Sequence, residues 1–224
     1  MFNYGRGSIY TTGNIINTSR WFHVAVTYDS TDYKLYVDGV LKNNVSGNAP
    51  QTTPNNIEAI LGAIDQSPPG QPVNYYTGWM DEFRVWNKAL TVEHIRQMMN
   101  QEIKSDGVDV MGEIIPYRVS GPDALQDGIE DDILLWANLD GYYRMAIDCG
   151  YLTAYKGVSG RLRNINSPQG DSAPLPYTTA ISTALPPGGL WADSNTWEQG
   201  SLWYTPNSIV DGTKIDWNIV KISH

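Results

Sequence analysis

Residues 78–90 read GWMDEFRVWNKAL. Up to Asn87 the stretch alternates in the manner of a β-strand, which would begin near residue 76 and end near residue 86. Beyond it the period changes. The run LTVEHIRQMMNQEI at 90–103 puts Leu90, His94 and Met98 on one helical stripe, with Ile95 and Met99 beside it. Thr91 suits an N-cap, and Glu93 falls in the first turn, where negative charge favours the helix dipole. A strand followed at once by a short helix is therefore expected. The stretch also carries the adjacent acids Asp81 and Glu82. Retaining glycosidases place two carboxylates about 5 Å apart. Side chains alternate along a strand, so such a pair would sit two or four residues apart on one face. Adjacent acids point to opposite faces, and no E-x-D-x-x-E run occurs in the chain. The plainer expectation is structural: Glu82 and Arg84 pair on the solvent face, while Phe83 and Val85 face the core.

Upstream, WFHVAVTYD at 21–29 alternates with β-branched and aromatic residues, which predicts a strand. In YKLYVDGVLKNN at 33–44, Asp38-Gly39 separates two apolar runs and predicts a tight hairpin, because both residues tolerate positive φ. IEAILGA at 57–63 reads as a further strand, with Gly62 marking a bend or a close backbone approach. DQSPPGQPVN at 65–74 is a loop by composition. Residues 1–104 thus read as antiparallel strands closed by one helix. Residues 105–132 are acidic, turn-rich and weakly patterned, and are expected to be a linker. Residues 133–180 would form a partial β module, and residues 181–224 the start of a Trp-rich repeat-type β domain. The fold class expected is all-β.

Bulk properties exclude several functions. The chain has 224 residues and a net charge of −9. A nucleic-acid footprint needs a basic patch, and an anionic lipid surface attracts basic segments; this composition favours neither. Eight Trp and fourteen Tyr against three Phe suit half-buried sheets and binding surfaces. Cys149 stands alone, so an intramolecular disulfide or a multi-cysteine zinc site is excluded. No window reaches the ~18 apolar residues of a membrane span. The start, MFNYGRGSIYTTG, lacks the charged and apolar regions of a signal peptide and reads like the middle of a sheet. A piece of a longer polypeptide is the expectation. His23, His94 and His224 form no metal-binding pattern, and neither a G-x-S-x-G motif nor a phosphate loop occurs.

Taken in order, WFHVAVTYD, KLYVDGVL, ILGA and GWMDEFRVWNKALTVEHI resemble the second half of a laminin G-like, concanavalin A-like domain. The resemblance implies an antiparallel jelly-roll β-sandwich, of which the earlier half would precede residue 1. Later segments, GYYRM, GRLRNI, APLPYTTA and the W…TW opening of WADSNTWEQGSLWYTPNS, are similar to modules of large bacterial secreted surface proteins. The two resemblances imply a non-catalytic adhesion or carbohydrate-recognition module, extracellular, with a glycan or cell-surface ligand and other domains of its parent chain as partners. A ligand-free structural spacer and a glycoside hydrolase on the same sandwich are the alternatives.

Two site expectations follow from the resemblance. Tyr75, Tyr76 and Trp79 flank the 65–74 loop, and at a sandwich rim they would stack on sugar rings; ordinary edge packing is the bland alternative. Family members often hold calcium at that rim. Calcium takes about six to eight oxygens, and this loop offers Asp65 as leading ligand, with Gln66 and Asn74 as weaker donors. Finally, LLWANLDGYYRM resembles a first strand of a following module, and it is expected to fold back beside residues 79–86.

Overall fold

The computed structural model describes residues 2–3, 7–13, 15–16, 20–50, 60–64, 72–123, 128, 130–145, 147–148, 151–152, 154–161, 173, 177–178, 190, 193–197 and 207–221. The architecture is all-β with one short helix. Strands β1 (Phe2–Asn3) and β2 (Ser8–Ile9) pair antiparallel. Strands β3 (Val24–Tyr28), β4 (Asp32–Val37) and β5 (Val40–Ser46) form an antiparallel meander. Its tight turn is the expected one: Val37 faces Val40 across Asp38 at φ 51° and Gly39 at φ 72°. Tyr33, Leu35 and Ile9 form a core lined by Val26, Tyr28 and Val45.

Strand β6 (Phe83–Trp86) is shorter than expected, and helix α1 (Val92–Met98) follows it. Thr91 caps the helix, accepting from the His94 amide, while the His94 ring reaches back to the Thr91 amide. Leu90 packs against the core to which Met98 belongs, and His94 and Ile95 are buried, as the helical stripe predicts. Of the strand expected over 57–63, residues 57–59 lie outside the described residues; 60–63 form no strand, Ile64 makes an isolated bridge to Val73, and Gly62 has φ 84°.

The segment after the helix departs from the linker expectation. Strands β7 (Ile103–Ser105) and β8 (Val110–Gly112) form a hairpin. Its turn is held by the Asp106 carboxylate, which accepts from the amides of Val108 and Asp109. Val110, Val119 and Leu134 are tied by backbone hydrogen bonds of 2.8 Å in each case: Val110 to Leu134, Val119 to Val110 and Leu134 to Val119. These three residues share one core with Met98, Ile103, Leu139 and Tyr142, against which Trp86, Leu90 and Trp136 pack. Residues on both sides of positions 104 and 132 belong to this core. Val119 stands alone in turn-rich sequence, so no periodicity announces its burial.

Strand β9 (Leu139–Tyr143) pairs antiparallel with β6, Phe83 facing Tyr143 and Arg84 facing Tyr142. The expected return of LLWANLDGYYRM beside residues 79–86 is thus present. Short strands β10 (Ile147–Asp148), β11 (Tyr151–Leu152) and β12 (Gly160–Arg161) make a small sheet. Strand β13 (Tyr177–Thr178) runs parallel to β16 (Val220–Lys221), and β14 (Ile209–Val210) pairs with β15 (Thr213–Lys214). The end of the chain does not stand apart. The Trp217 indole donates to the Asp38 carbonyl at 3.2 Å, and Arg96 stacks on its ring at 3.7 Å. The β4–β5 turn is therefore seated on the last segment and α1 together. Gly39 is needed there twice over, for its positive φ and because a Cβ would lie 2.8 Å from the indole nitrogen.

The orientation of β6 is the reverse of the expected one. Arg84 and Glu82 point inward, with side chains 8% and 12% exposed, while Phe83 and Val85 face outward at 36% and 42%. Glu82 has φ 53°, which breaks the alternation entering the strand. Arg84 then donates to the carbonyls of Met98 at 2.9 Å and Gln101 at 2.8 Å, at the C-terminal end of α1, and pairs with Glu82. Cations are favoured at that end by the helix dipole and by its unpaired carbonyls. The Tyr142 hydroxyl donates to the same Glu82 carboxylate at 2.6 Å. Burial above all pushes its phenol up to about 12.

The His23 ring feels the Arg84 charge, and its Nδ1 is buried without a hydrogen-bond partner. Burial, with help from the Arg84 guanidinium, lowers its imidazole to about 3. A solvent-exposed histidine titrates near ~6.5. The folded state thus resists the proton that the unfolded chain accepts. Stability from this group is fully present above the unfolded value and falls as pH drops toward the folded one. The slope is about 1.4 kcal/mol per pH unit inside that window. His94, also lowered by burial, acts in the same sense. Asp38 and Asp81, raised by burial, act oppositely in the carboxylate range and soften the loss there. Denaturant melts between pH 7 and 4 should show this decline, and His23→Phe should flatten it; an unchanged slope in the variant would assign the effect elsewhere.

Candidate functional site

A small backbone frame carries Tyr75, Tyr76 and Trp79, the rings that would stack on sugar. Ile64 and Val73 exchange both backbone hydrogen bonds, at 2.9 and 2.8 Å, and so close the loop between them. The Tyr76 amide then donates to the Gly62 carbonyl at 2.7 Å, which aligns the outgoing chain beside the incoming one. Tyr75, Tyr76 and Trp79 emerge from this frame 54%, 55% and 48% exposed. The Tyr76 hydroxyl donates to the Trp79 carbonyl at 3.3 Å, folding its ring over Gly78. A Cβ at Gly78 would lie 2.5 Å from that hydroxyl, so glycine permits the approach.

Trp21 completes the surface. Its ring lies 6.3 Å from that of Trp79, tilted by 38°. Trp21 in turn packs against the buried Trp197. A half-buried indole thus backs an exposed one, and the exposed ring is held in place rather than waving in solvent. Sequence spacing does not find Trp21, because it lies 58 positions before Trp79; only its place at the head of WFHVAVTYD hints at a boundary position.

The frame brings Tyr76, Trp79 and Trp21 together and leaves Tyr75 exposed on the same stretch. Asp65 and Gln66 lie outside the described residues. Asn74, the third oxygen donor of the expected calcium loop, is exposed at φ 52°. Among the described residues, no group of three or more His, Cys, Asp or Glu side chains is placed to hold a metal ion.

The nearby acids are engaged in holding the fold. The Asp81 carboxylate accepts from the Ala173 amide at 2.7 Å and the Glu82 amide at 2.9 Å, and burial raises it above the usual carboxylate range. Glu82 is committed to Arg84 and Tyr142.

What this frame can do is offer flat, amphipathic rings to a ligand with a C–H face. Residues 1–96 match the family model described as the concanavalin A-like lectin/glucanases superfamily. The match runs through the β3–β5 meander and β6 to Arg96 in the last turn of α1. The superfamily holds both lectins and glucanases, and its description is compatible with either. No solved structure matches the chain. No helix of the described residues is long and apolar enough to cross a membrane.

Proposed function

We propose that this chain carries a non-catalytic carbohydrate-recognition or adhesion module of a secreted or cell-surface protein. The observation that carries the reading is the ring set Tyr75, Tyr76 and Trp79, exposed on one framed stretch with Trp21 braced against Trp79. Aromatic rings of this kind bind pyranose faces by stacking and give shallow, extended recognition. The commitment of Asp81 and Glu82 to backbone, Arg84 and Tyr142 supports binding over glycoside hydrolysis. Calcium belongs to the same proposal, with Asp65 as its leading ligand; the ion would lend oxygen coordination at the loop beside the rings.

Glycan arrays followed by titration of the best hit test this. Trp79→Ala should weaken binding by roughly tenfold or more, the equivalent of about 1.4 kcal/mol, with an unchanged melting transition. A chelator arm should weaken binding too, and added calcium should restore it. Retention of wild-type affinity by Trp79→Ala would remove the platform from the mechanism. Release of shortened oligosaccharides from a polysaccharide would overturn the non-catalytic reading.

A further inference from the structure

Strand β3 leaves one edge of the meander open. The bonds at its two ends fix the pattern: the Asp38 amide donates to the His23 carbonyl at 2.8 Å, and the Asp29 amide to the Asp32 carbonyl at 3.3 Å. In an antiparallel pair only alternate residues exchange bonds with a given neighbour. The register runs unbroken from Val24 opposite Val37 to Tyr28 opposite Tyr33, so Ala25 and Thr27 turn their backbone groups toward β4. Val24, Val26 and Tyr28 turn theirs the other way. Their amides and carbonyls have no partner among the described residues.

The far edge of the same sheet is guarded, and this one is not. On β5 the Asn43 side chain donates to the Tyr10 carbonyl at 2.7 Å, and Lys42 pairs with Asp211. Lysine, proline and bulges are the usual devices that keep an edge from pairing with another chain. The bulge of this meander lies between β4 and β5, at Leu35 and Tyr36. Residues 24–28, VAVTY, carry no charge, no proline and no bulge, and Val24 is 48% exposed.

The symmetry of the edge decides what fits it. An antiparallel strand with a two-fold axis at Val26 sets Val26 against the partner's Val26 and Val24 against the partner's Tyr28. These are the residues with outward backbone groups, so every free amide of one copy meets a free carbonyl of the other. Ala25 then lies against the partner's Thr27. One step beyond, Asp29 comes opposite the partner's His23, so no like charges meet, and Asp29 is already paired with Lys34 at 2.7 Å. Each exposed Val24 gains an aromatic cross-strand neighbour, a kind of pair that stabilises sheets.

We infer that β3 is a self-association edge, through which a second copy of this chain adds its own β3 antiparallel and joins the two meanders into one continuous sheet. The interface is isologous and each copy has one such edge, so assembly stops at the dimer. The pairing does not depend on the glycan reading above.

Sedimentation of the full chain over a range of concentrations tests it, together with amide exchange followed by NMR. A reversible monomer–dimer equilibrium is expected. Raising the concentration should slow exchange of the Val24, Val26 and Tyr28 amides and leave those of Ala25 and Thr27, already bonded to β4, unchanged. Val24→Lys should weaken dimerisation by roughly tenfold or more, because the charge enters twice across the two-fold axis. Its monomer should melt like the wild type, since Val24 is half exposed. A monomer at every soluble concentration would overturn the inference. So would growth beyond two copies, a dimer that protects other amides, or a Val24→Lys variant that associates as the wild type does. Should that variant fail to fold, the alternating exchange pattern of the wild type decides alone.

Discussion

Replacing Arg84 with methionine should destabilise the protein by about 3–5 kcal/mol, the usual consequence of removing one partner of a buried ion pair. The magnitude follows from what the guanidinium does. It neutralises Glu82, whose side chain is 12% exposed, and it satisfies the carbonyls of Met98 and Gln101. Without it a carboxylate stays buried with only the Tyr142 hydroxyl for company, and two helix-end carbonyls lose their donor. The double variant Glu82→Met with Arg84→Met should recover much of the loss, because it removes the stranded charge as well. Urea denaturation of the two single variants and the double gives the coupling directly. A single-variant loss below about 1 kcal/mol, the range of exposed pairs, would mean the pair is solvated and the inward orientation of β6 is wrong.

The second large effect lies just past the segment that reads as a linker. Leu134→Ala should cost about 2–5 kcal/mol, as buried leucine truncations do. Leu134 is fully buried in the core that joins α1, β7, β8 and β9. Its neighbour Leu135 is 42% exposed and serves as the control, with an expected cost of about 0.5 kcal/mol or less. The loss should lower one cooperative transition shared by the near-ultraviolet signal of Trp86 and Trp136, both of which pack on that core. Two separate transitions, with only one moved by Leu134→Ala, would restore an independent module after residue 104.

The local elements were legible because each is specified by a few neighbouring residues. Asp38-Gly39 sets the hairpin turn, since few other pairs accept two positive φ values in succession. Thr91 and the Leu90, His94, Met98 spacing set the helix and its buried stripe. Tyr75, Tyr76 and Trp79 sit together in the chain, and all three are exposed beside the frame that joins Gly62 to Tyr76 and Ile64 to Val73. Trp21 was not legible, because its partnership with Trp79 depends on how two distant segments meet.

Alternation along GWMDEFRVWNKAL establishes that Glu82 and Arg84 share one side of the strand and Phe83 and Val85 the other, and the sequence alone carries that much. It also carries the turn, the helix with its cap, the all-β class and the family likeness of the first 96 residues. Which side of β6 turns inward was decided by tertiary structure. The C-terminal end of α1 presents carbonyls there, and a buried guanidinium answers them better than an apolar ring would. The same holds for Val110, Val119, Leu134 and Trp217. Val119 stands alone in turn-rich sequence, Leu134 sits in the continuous apolar run ILLW and Trp217 in an alternating one, but what each packs on is supplied by distant parts of the chain. Periodicity reports the geometry of one element; burial depends on what that element meets.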